Sequence, residues 1–274
     1  MKLKLLPYFD FIKSEYNSGK SVQKIADENN WYAQAVTNLL KSENLYKTTK
    51  PNQGNIRYFE KCNSKLKAYF LGFITADGCI QSNGLNSYGL TITIHEKDIS
   101  ILHKLKEEIQ CENQVKLISG GMTHDKTKIK THCRFQLFNK ELVSDLKSYG
   151  LTEKKSTTMP NIIVNIPVEY RKAFILGYFD GDGSISFNKS SNQFFVNFRG
   201  TEQFLQGIQD EFNFAKCSIY KDKQRNCYSL ITWRKQDISS FFKIYNECEF
   251  YLQRKYEKFP EYLKIAKDQT ISPS

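Results

Sequence analysis

The chain has 274 residues, of which 40% are hydrophobic and 25% charged, proportions that exclude disorder as the default and allow a substantial core. Its 40 Lys and Arg against 29 Asp and Glu leave a net charge of +11, which suits a polyanionic partner because neutralising phosphates releases condensed counterions. No window approaches the roughly 18 apolar residues of a membrane span, the basic start lacks the apolar run of a signal peptide, and the seven cysteines form no CxxC pair and read as reduced core fillers, so a cytoplasmic protein without a membrane partner is expected.

Residues 1–50 read as a small helical domain. Three stretches, Tyr8 to Asn17, Ser21 to Glu28 and Tyr32 to Leu40, are joined by Gly19 and by Asn29-Asn30-Trp31. The spacing of Ile25, Ala26, Val36 and Leu40, with Ser21 as an N-cap, is that of a helix-turn-helix. Tyr32, Gln34, Thr37 and Asn38 then lie on the outer side of the second helix, where they could enter a major groove. A helical packing module without DNA contact is the alternative for this segment. Thr48 to Asn55 has the Pro, Gly and Asn content of a loop and ends it.

Two similar blocks follow, 64–150 and 168–265. In the first a helix runs into Asp77, alternating residues from Leu90 to Ile94 form a strand, Ile99 to Ile109 a helix, Cys133 to Leu137 a strand and Leu142 to Tyr149 a helix. In the second the same order recurs, with a helix into Asp182, strands at Phe194 to Arg199 and Tyr228 to Trp233, and helices at Glu202 to Phe212 and Ile238 to Tyr245. Residues 157–167, with Pro160 and Pro167, read as an extended bridge between them. The predicted fold is α+β: two pseudo-symmetric αββαββα repeats plus the small N-terminal helical domain. Helices gathered on one face of each sheet leave the other open, and Arg134, Gln136, Asn197 and Arg199 alternate along that face with the chemistry to read base edges.

FLGFITADGCI at 70–80 returns as ILGYFDGDGSI at 175–185. A mid-helix glycine costs about 1 kcal/mol relative to alanine, and its recurrence at Gly72 and Gly177 predicts that the two helices approach closely there. Both helix ends would then meet, bringing Asp77 and Asp182 together just before Gly78 and Gly183, which read as left-handed caps. A carboxylate at a helix C-terminus opposes the macrodipole, so folding asks for neither acid. Two converging carboxylates with nearby carbonyls make an oxygen-rich pocket for a hard divalent cation, which activates water and stabilises the leaving oxygen of a phosphodiester. Asp180 reads as a solvated or capping residue, because the first copy has Thr75 in its place. A doubled site suits a substrate with two equivalent halves, and duplex DNA is one.

These two stretches resemble the motif of the LAGLIDADG homing endonucleases in their single-chain, two-motif form, over residues 64–265. The connector Gly150 to Ser156 and the tail Tyr251 to Tyr256 share the likeness. The resemblance implies a DNA-binding saddle that cuts both strands of a long site to leave short 3′ overhangs. It implies Asp77 and Asp182 as catalytic metal ligands, joined by the carbonyls of Ala76 and Gly181. Mg²⁺ is the implied cofactor, with Mn²⁺ as a substitute and Ca²⁺ supporting binding without cleavage. A basic residue near each scissile phosphate maps onto Lys140 and Lys235, with Arg234 left open beside Lys235. The implied partner is double-stranded DNA, bound by a monomer. An RNA-binding maturase acting on its host intron RNA, and a DNA-binding regulator that does not cut, are the alternatives. The termini lack a splice-junction nucleophile and a His-Asn end, so a free-standing protein rather than a self-splicing one is expected.

Overall fold

The computed structural model describes residues 5–46, 52, 54–83, 87–122, 129–153, 155–215, 217–222, 227–261 and 263–264. Most of the first predicted loop, 48–51 and 53, and Lys154 of the connector lie outside these. The chain divides into two compact units, Met1–Pro51 and Asn52–Ser274.

Among its described residues the first unit holds three α-helices, α1 (Phe9–Asn17), α2 (Val22–Glu28) and α3 (Ala33–Ser42). The Ser21 side chain accepts from the Lys24 N–H and starts α2, the cap the sequence predicts. The chain leaves α1 through Gly19 at φ +94° and leaves α2 through Asn30 at φ +56°, residues that tolerate the left-handed region. Ile12, Ile25, Ala26, Val36, Leu39 and Leu40 are fully buried between the helices.

The second unit contains both repeats. The first is α4 (Lys65–Asp77), β1 (Gly78–Asn83), β2 (Ser87–His95), α5 (Ile99–Ile109), β3 (Lys116–Met122), β4 (Ile129–Leu137) and α6 (Lys140–Ser148). A short helix α7 (Lys155–Thr158) leads to the second repeat: α8 (Arg171–Asp182), β5 (Ser184–Asn188), β6 (Gln193–Gly200), α9 (Glu202–Phe212), β7 (Ser218–Lys221), β8 (Tyr228–Thr232) and α10 (Lys235–Phe242). Two short helices, α11 (Ile244–Glu247) and α12 (Gln253–Tyr256), follow the second repeat. Each repeat is αββαββα, and the two antiparallel sheets share one topology, β1-β2-β4-β3 and β5-β6-β8-β7.

Alternation sets the two faces of each sheet. Leu90, Ile92, Ile94, Cys133, Phe135 and Leu137 are buried against the helices of the first repeat, as are Val196, Phe198 and Leu230 in the second. The intervening residues line the opposite face in register: Thr91 opposes Gln136 and Thr93 opposes Arg134, and the donors of both long side chains reach the threonine hydroxyls, at 3.1 and 3.3 Å.

The bridge between repeats is not extended. Ile162–Asn165 and Val168–Tyr170 form 3₁₀ turns, and Ile162, Ile163 and Ile166 are buried. Three isoleucines within five residues are better hidden on a coiled backbone that turns them all inward than on a strand that would expose alternate ones. All seven cysteines are free; Cys62, Cys111 and Cys133 are buried as predicted, and Cys79 is exposed.

At the centre, α4 and α8 pack side by side. A Cβ on Gly72 would lie 1.8 Å from the Phe174 carbonyl oxygen, and one on Gly177 would lie 1.9 Å from the Tyr69 carbonyl oxygen. Backbone meets backbone at both crossings, so both glycines are steric requirements. Gly72→Ala or Gly177→Ala is expected to cost about 3 kcal/mol, the upper range for overpacking, because the atom in the way is backbone and cannot rotate aside. A thermal midpoint within a degree of the parent's in either variant would contradict this packing.

Candidate active site

The helix pair brings its two C-terminal ends together. A Cβ on Gly181 would stand 2.3 Å from the Ala76 Cβ and 2.9 Å from Asp77 Oδ2, so the Asp77 carboxylate lies against the turn that carries Asp182. Gly78 and Gly183 are not left-handed caps: their φ values are −75° and −81°, with extended ψ. The chain passes from each helix straight into a strand, so extended backbone is required there. Glycine is required for space, since a Cβ on Gly78 would meet the Ile74 carbonyl at 2.6 Å and one on Gly183 the Phe179 ring at 2.0 Å.

Among the described residues no donor hydrogen-bonds or ion-pairs with either carboxylate. Burial, and after it the Asp182 charge, push the Asp77 carboxyl up to about 6. Asp182 has one side open to solvent, yet the protein packed around its carboxyl raises it too, against the opposing pull of Lys155, Lys255 and Arg199. Two like charges held close without a counter-ion of their own make a site that gains from a cation.

Two buried lysines frame the pair. The Lys155 ammonium, at the start of α7, donates to the carbonyls of Thr75 (2.5 Å) and Ala76 (2.7 Å). The Lys255 ammonium, in α12, donates to Phe179 (2.5 Å), Gly183 (2.8 Å) and Gly181 (3.2 Å). Each thus caps the open carbonyls at the end of one motif helix and offsets its dipole. Burial pulls Lys255 down to about 8 and lowers Lys155 as well. Sequence reasoning missed both. The available signal was a lysine in each of the two segments that follow the repeats, Lys155 in the connector and Lys255 in the tail.

The residues present fit a divalent cation in part. The carboxylates of Asp77 and Asp182 supply hard anionic oxygens without competing donors. The Ala76 and Gly181 carbonyls already accept from lysine, and each keeps a second lone pair.

The other nominated residues are dispersed. Lys140 and Lys235 are exposed and open α6 and α10; Lys140 lies 5.8 Å from the centre of the Tyr88 ring. The lysines acting on the two acids are Lys155 and Lys255. Arg134, Gln136 and Arg199 lie on the open sheet faces as the alternation predicts, and Arg234 directly precedes α10. Asn197 shares that face but is buried, and its Oδ1 has no partner among the described residues. In the first unit Tyr32 is 78% exposed, Gln34 and Asn38 are exposed and bonded to each other at 2.9 Å, and Thr37 is half-buried.

Asp180 corrects the sequence reading. It is 1% exposed, and its carboxylate accepts from the Tyr69 hydroxyl (2.7 Å), the Leu252 N–H (2.7 Å) and the Tyr245 hydroxyl (3.4 Å). A carboxylate that gathers three donors inside the core is neither solvated nor a cap.

Residues 169–246 match the family model of a LAGLIDADG-like domain. The intron-encoded RNA maturase bI4 of Saccharomyces cerevisiae is 22% identical over 225 residues, covering 74% of this chain and 33% of the relative; the chain thus spans about a third of that relative's length. Among solved structures, the homing endonuclease I-WcaI bound to its DNA recognition sequence is 17% identical with a TM-score of 0.54, covering 74% of this chain and 91% of that one. The meganuclease I-SmaMI bound to uncleavable DNA is 15% identical with a TM-score of 0.48, covering 76% and 93%. With twinned motif helices and a four-stranded sheet beside each, the chain carries a LAGLIDADG-like domain over its second repeat and shares the fold of the homing endonuclease I-WcaI.

Proposed function

We propose that the chain is a site-specific DNA endonuclease that hydrolyses both strands of a long duplex target. The observation that carries this reading is the pair Asp77 and Asp182: carboxylates crowded at the ends of two helices, with no hydrogen-bond or ion-pair partner among the described residues, between two sheets whose open faces carry Thr91, Thr93, Arg134, Gln136 and Arg199. The pair would hold Mg²⁺, which when bound polarises the scissile phosphate and activates water. The chain's own residues do the rest. Lys155 and Lys255 keep the carbonyl ends of the helices neutral enough for two acids to stand side by side. Arg134, Gln136 and Arg199 contact the base edges and phosphates that fix register. Two acids, one from each repeat, suit the two strands, and short 3′ overhangs are part of the proposal.

The test is cleavage of a randomised duplex library by the purified chain with Mg²⁺, with the ends sequenced. One long motif cut with a 3′ stagger supports the reading. The maturase relative keeps a second reading open, in which the same fold binds structured intron RNA. Tight RNA binding with no cut in any duplex would put that reading first.

The three-helix unit is proposed to hold one flank of the target through α3. Replacing Tyr32, Gln34 and Asn38 together by Ala in the full chain is expected to weaken DNA binding about tenfold, the loss of a few groove contacts, and to leave the dependence of affinity on salt unchanged, because none of the three carries a charge. Unchanged affinity would reduce the unit to packing.

A further inference from the structure

Two large, exposed aromatic side chains stand at matching places on the open sheet faces. Phe138 directly follows β4 and is 51% exposed; Trp233 directly follows β8 and is 40% exposed. The strand register makes them equivalent. Cys79 and Gln136 flank Thr91 in the first sheet, and Ser184 and Ile231 flank Asn197 in the second. Two residues further along, Gly89 occupies the place of Phe195, and Phe138 that of Trp233.

Both rings lie across the open face rather than in the core. A Cβ on Gly89 would point to that face, as those of Thr91 and Thr93 do, and would meet the Phe138 ring at 2.8 Å. Trp233 packs against Phe195 with ring centres 4.5 Å apart and planes tilted by 35°, and Phe195 alternates with the buried Val196. Basic residues follow each ring, Lys140 in one repeat and Arg234 with Lys235 in the other, suited to the phosphates beside the groove. On the major-groove edge of duplex DNA the one apolar group is the C5-methyl of thymine.

We infer that Phe138 and Trp233 each read a thymine methyl, at positions equally distant from the centre of the target, one in each half-site. The inference rests on the endonuclease reading, which supplies the DNA that faces these sheets. Trp233, larger and packed on Phe195, makes a more extensive contact than Phe138 beside Gly89.

The experiment uses the full chain and the site recovered from the library, with single thymines replaced in turn by uracil, which removes the methyl and leaves pairing intact. One position in each half-site is expected to lose about fourfold in affinity, the value of one methylene-sized apolar group, with the larger loss in the Trp233 half. In Phe138→Ala the thymine-to-uracil ratio should fall to about one in its own half-site and hold in the other, and Trp233→Ala should do the converse; the retained ratio certifies the fold. Absence of any methyl-dependent position, or its persistence in the matching variant, overturns the inference. Failure to bind or cut any duplex overturns the endonuclease reading instead, before uracil is introduced.

Discussion

Asp77→Asn and Asp182→Asn are each expected to lower double-strand cleavage by about 10³-fold or more, the scale of removing one preorganised charged group from a catalytic centre, while DNA binding in Ca²⁺ persists. Binding persists because it rests on the open sheet faces, and removing a negative charge beside the phosphates does not oppose it. Retained cleavage in either variant would detach the chemistry from this pair. Asp77 also predicts a pH signature. With its carboxyl pushed up to about 6, it is protonated below that pH, so cleavage should fall off on the acid side near pH 6 at subsaturating metal.

The same shift makes a stability prediction with a defined sign. The folded pKa lies above the unfolded one, so between about pH 4 and pH 6 the folded chain holds a proton that unfolding releases, and stability falls as pH rises through that window. Above pH 6 the ionised carboxylate is a net cost. Asp77→Asn removes it and is expected to be about 1–2 kcal/mol more stable than the parent at pH 7 without metal, allowing for the solvent on its open side. At pH 4 the two should unfold together. A variant that is inactive yet more stable at neutral pH marks a residue kept for chemistry; one that is equally destabilised at both pH values marks a residue kept for packing.

What was legible in the sequence is what repetition and alternation encode. Gly72 and Gly177 announce the close helix crossing because a glycine in mid-helix, twice, has no local reason. Thr91, Thr93, Arg134 and Gln136 announce the open face because strand parity separates them from Leu90, Ile92, Cys133 and Phe135. Lys155 and Lys255 were visible as letters, yet nothing local shows that their ammonium groups turn inward onto carbonyls 72 to 80 residues away. Gly78 and Gly183 were misread because a glycine after a helix usually caps it, whereas here the strand begins at once and space, not handedness, demands glycine. Comparison between repeats also misled at Asp180. Thr75 in the matching place suggested a dispensable acid, but Thr75 satisfies its own hydroxyl locally on the Leu71 carbonyl, while Asp180 collects donors from three other segments.

Asp180→Ala is expected to cost about 3–5 kcal/mol, the range for removing one partner from a buried charged network, and to lower the thermal midpoint by about 10 °C or more for a unit of this size. Its carboxylate joins α4 through Tyr69, α11 through Tyr245 and the segment before α12 through the Leu252 N–H. The helix α12 that follows it carries Arg254, whose guanidinium grips both oxygens of Asp98 in the first repeat at 2.5 Å, and Lys255, which caps α8. Alanine leaves two hydroxyls and a backbone N–H without their acceptor in the core and withdraws the carboxylate whose charge most strongly supports that of Lys255. Asp180→Thr, copying the first repeat, is expected to lose nearly as much, because a threonine hydroxyl would turn to its own helix as Thr75 does. Asp180→Asn keeps an acceptor oxygen in place and gives up a charge that burial already pushes to a pKa of about 6, so its loss should be less than half that of alanine. Denaturant unfolding of the three variants orders them as Asn above Thr and Ala. Threonine as stable as the parent would mean that the tail is held by Arg254 and Lys255 alone, and that the asymmetry between the two motifs carries no structural weight.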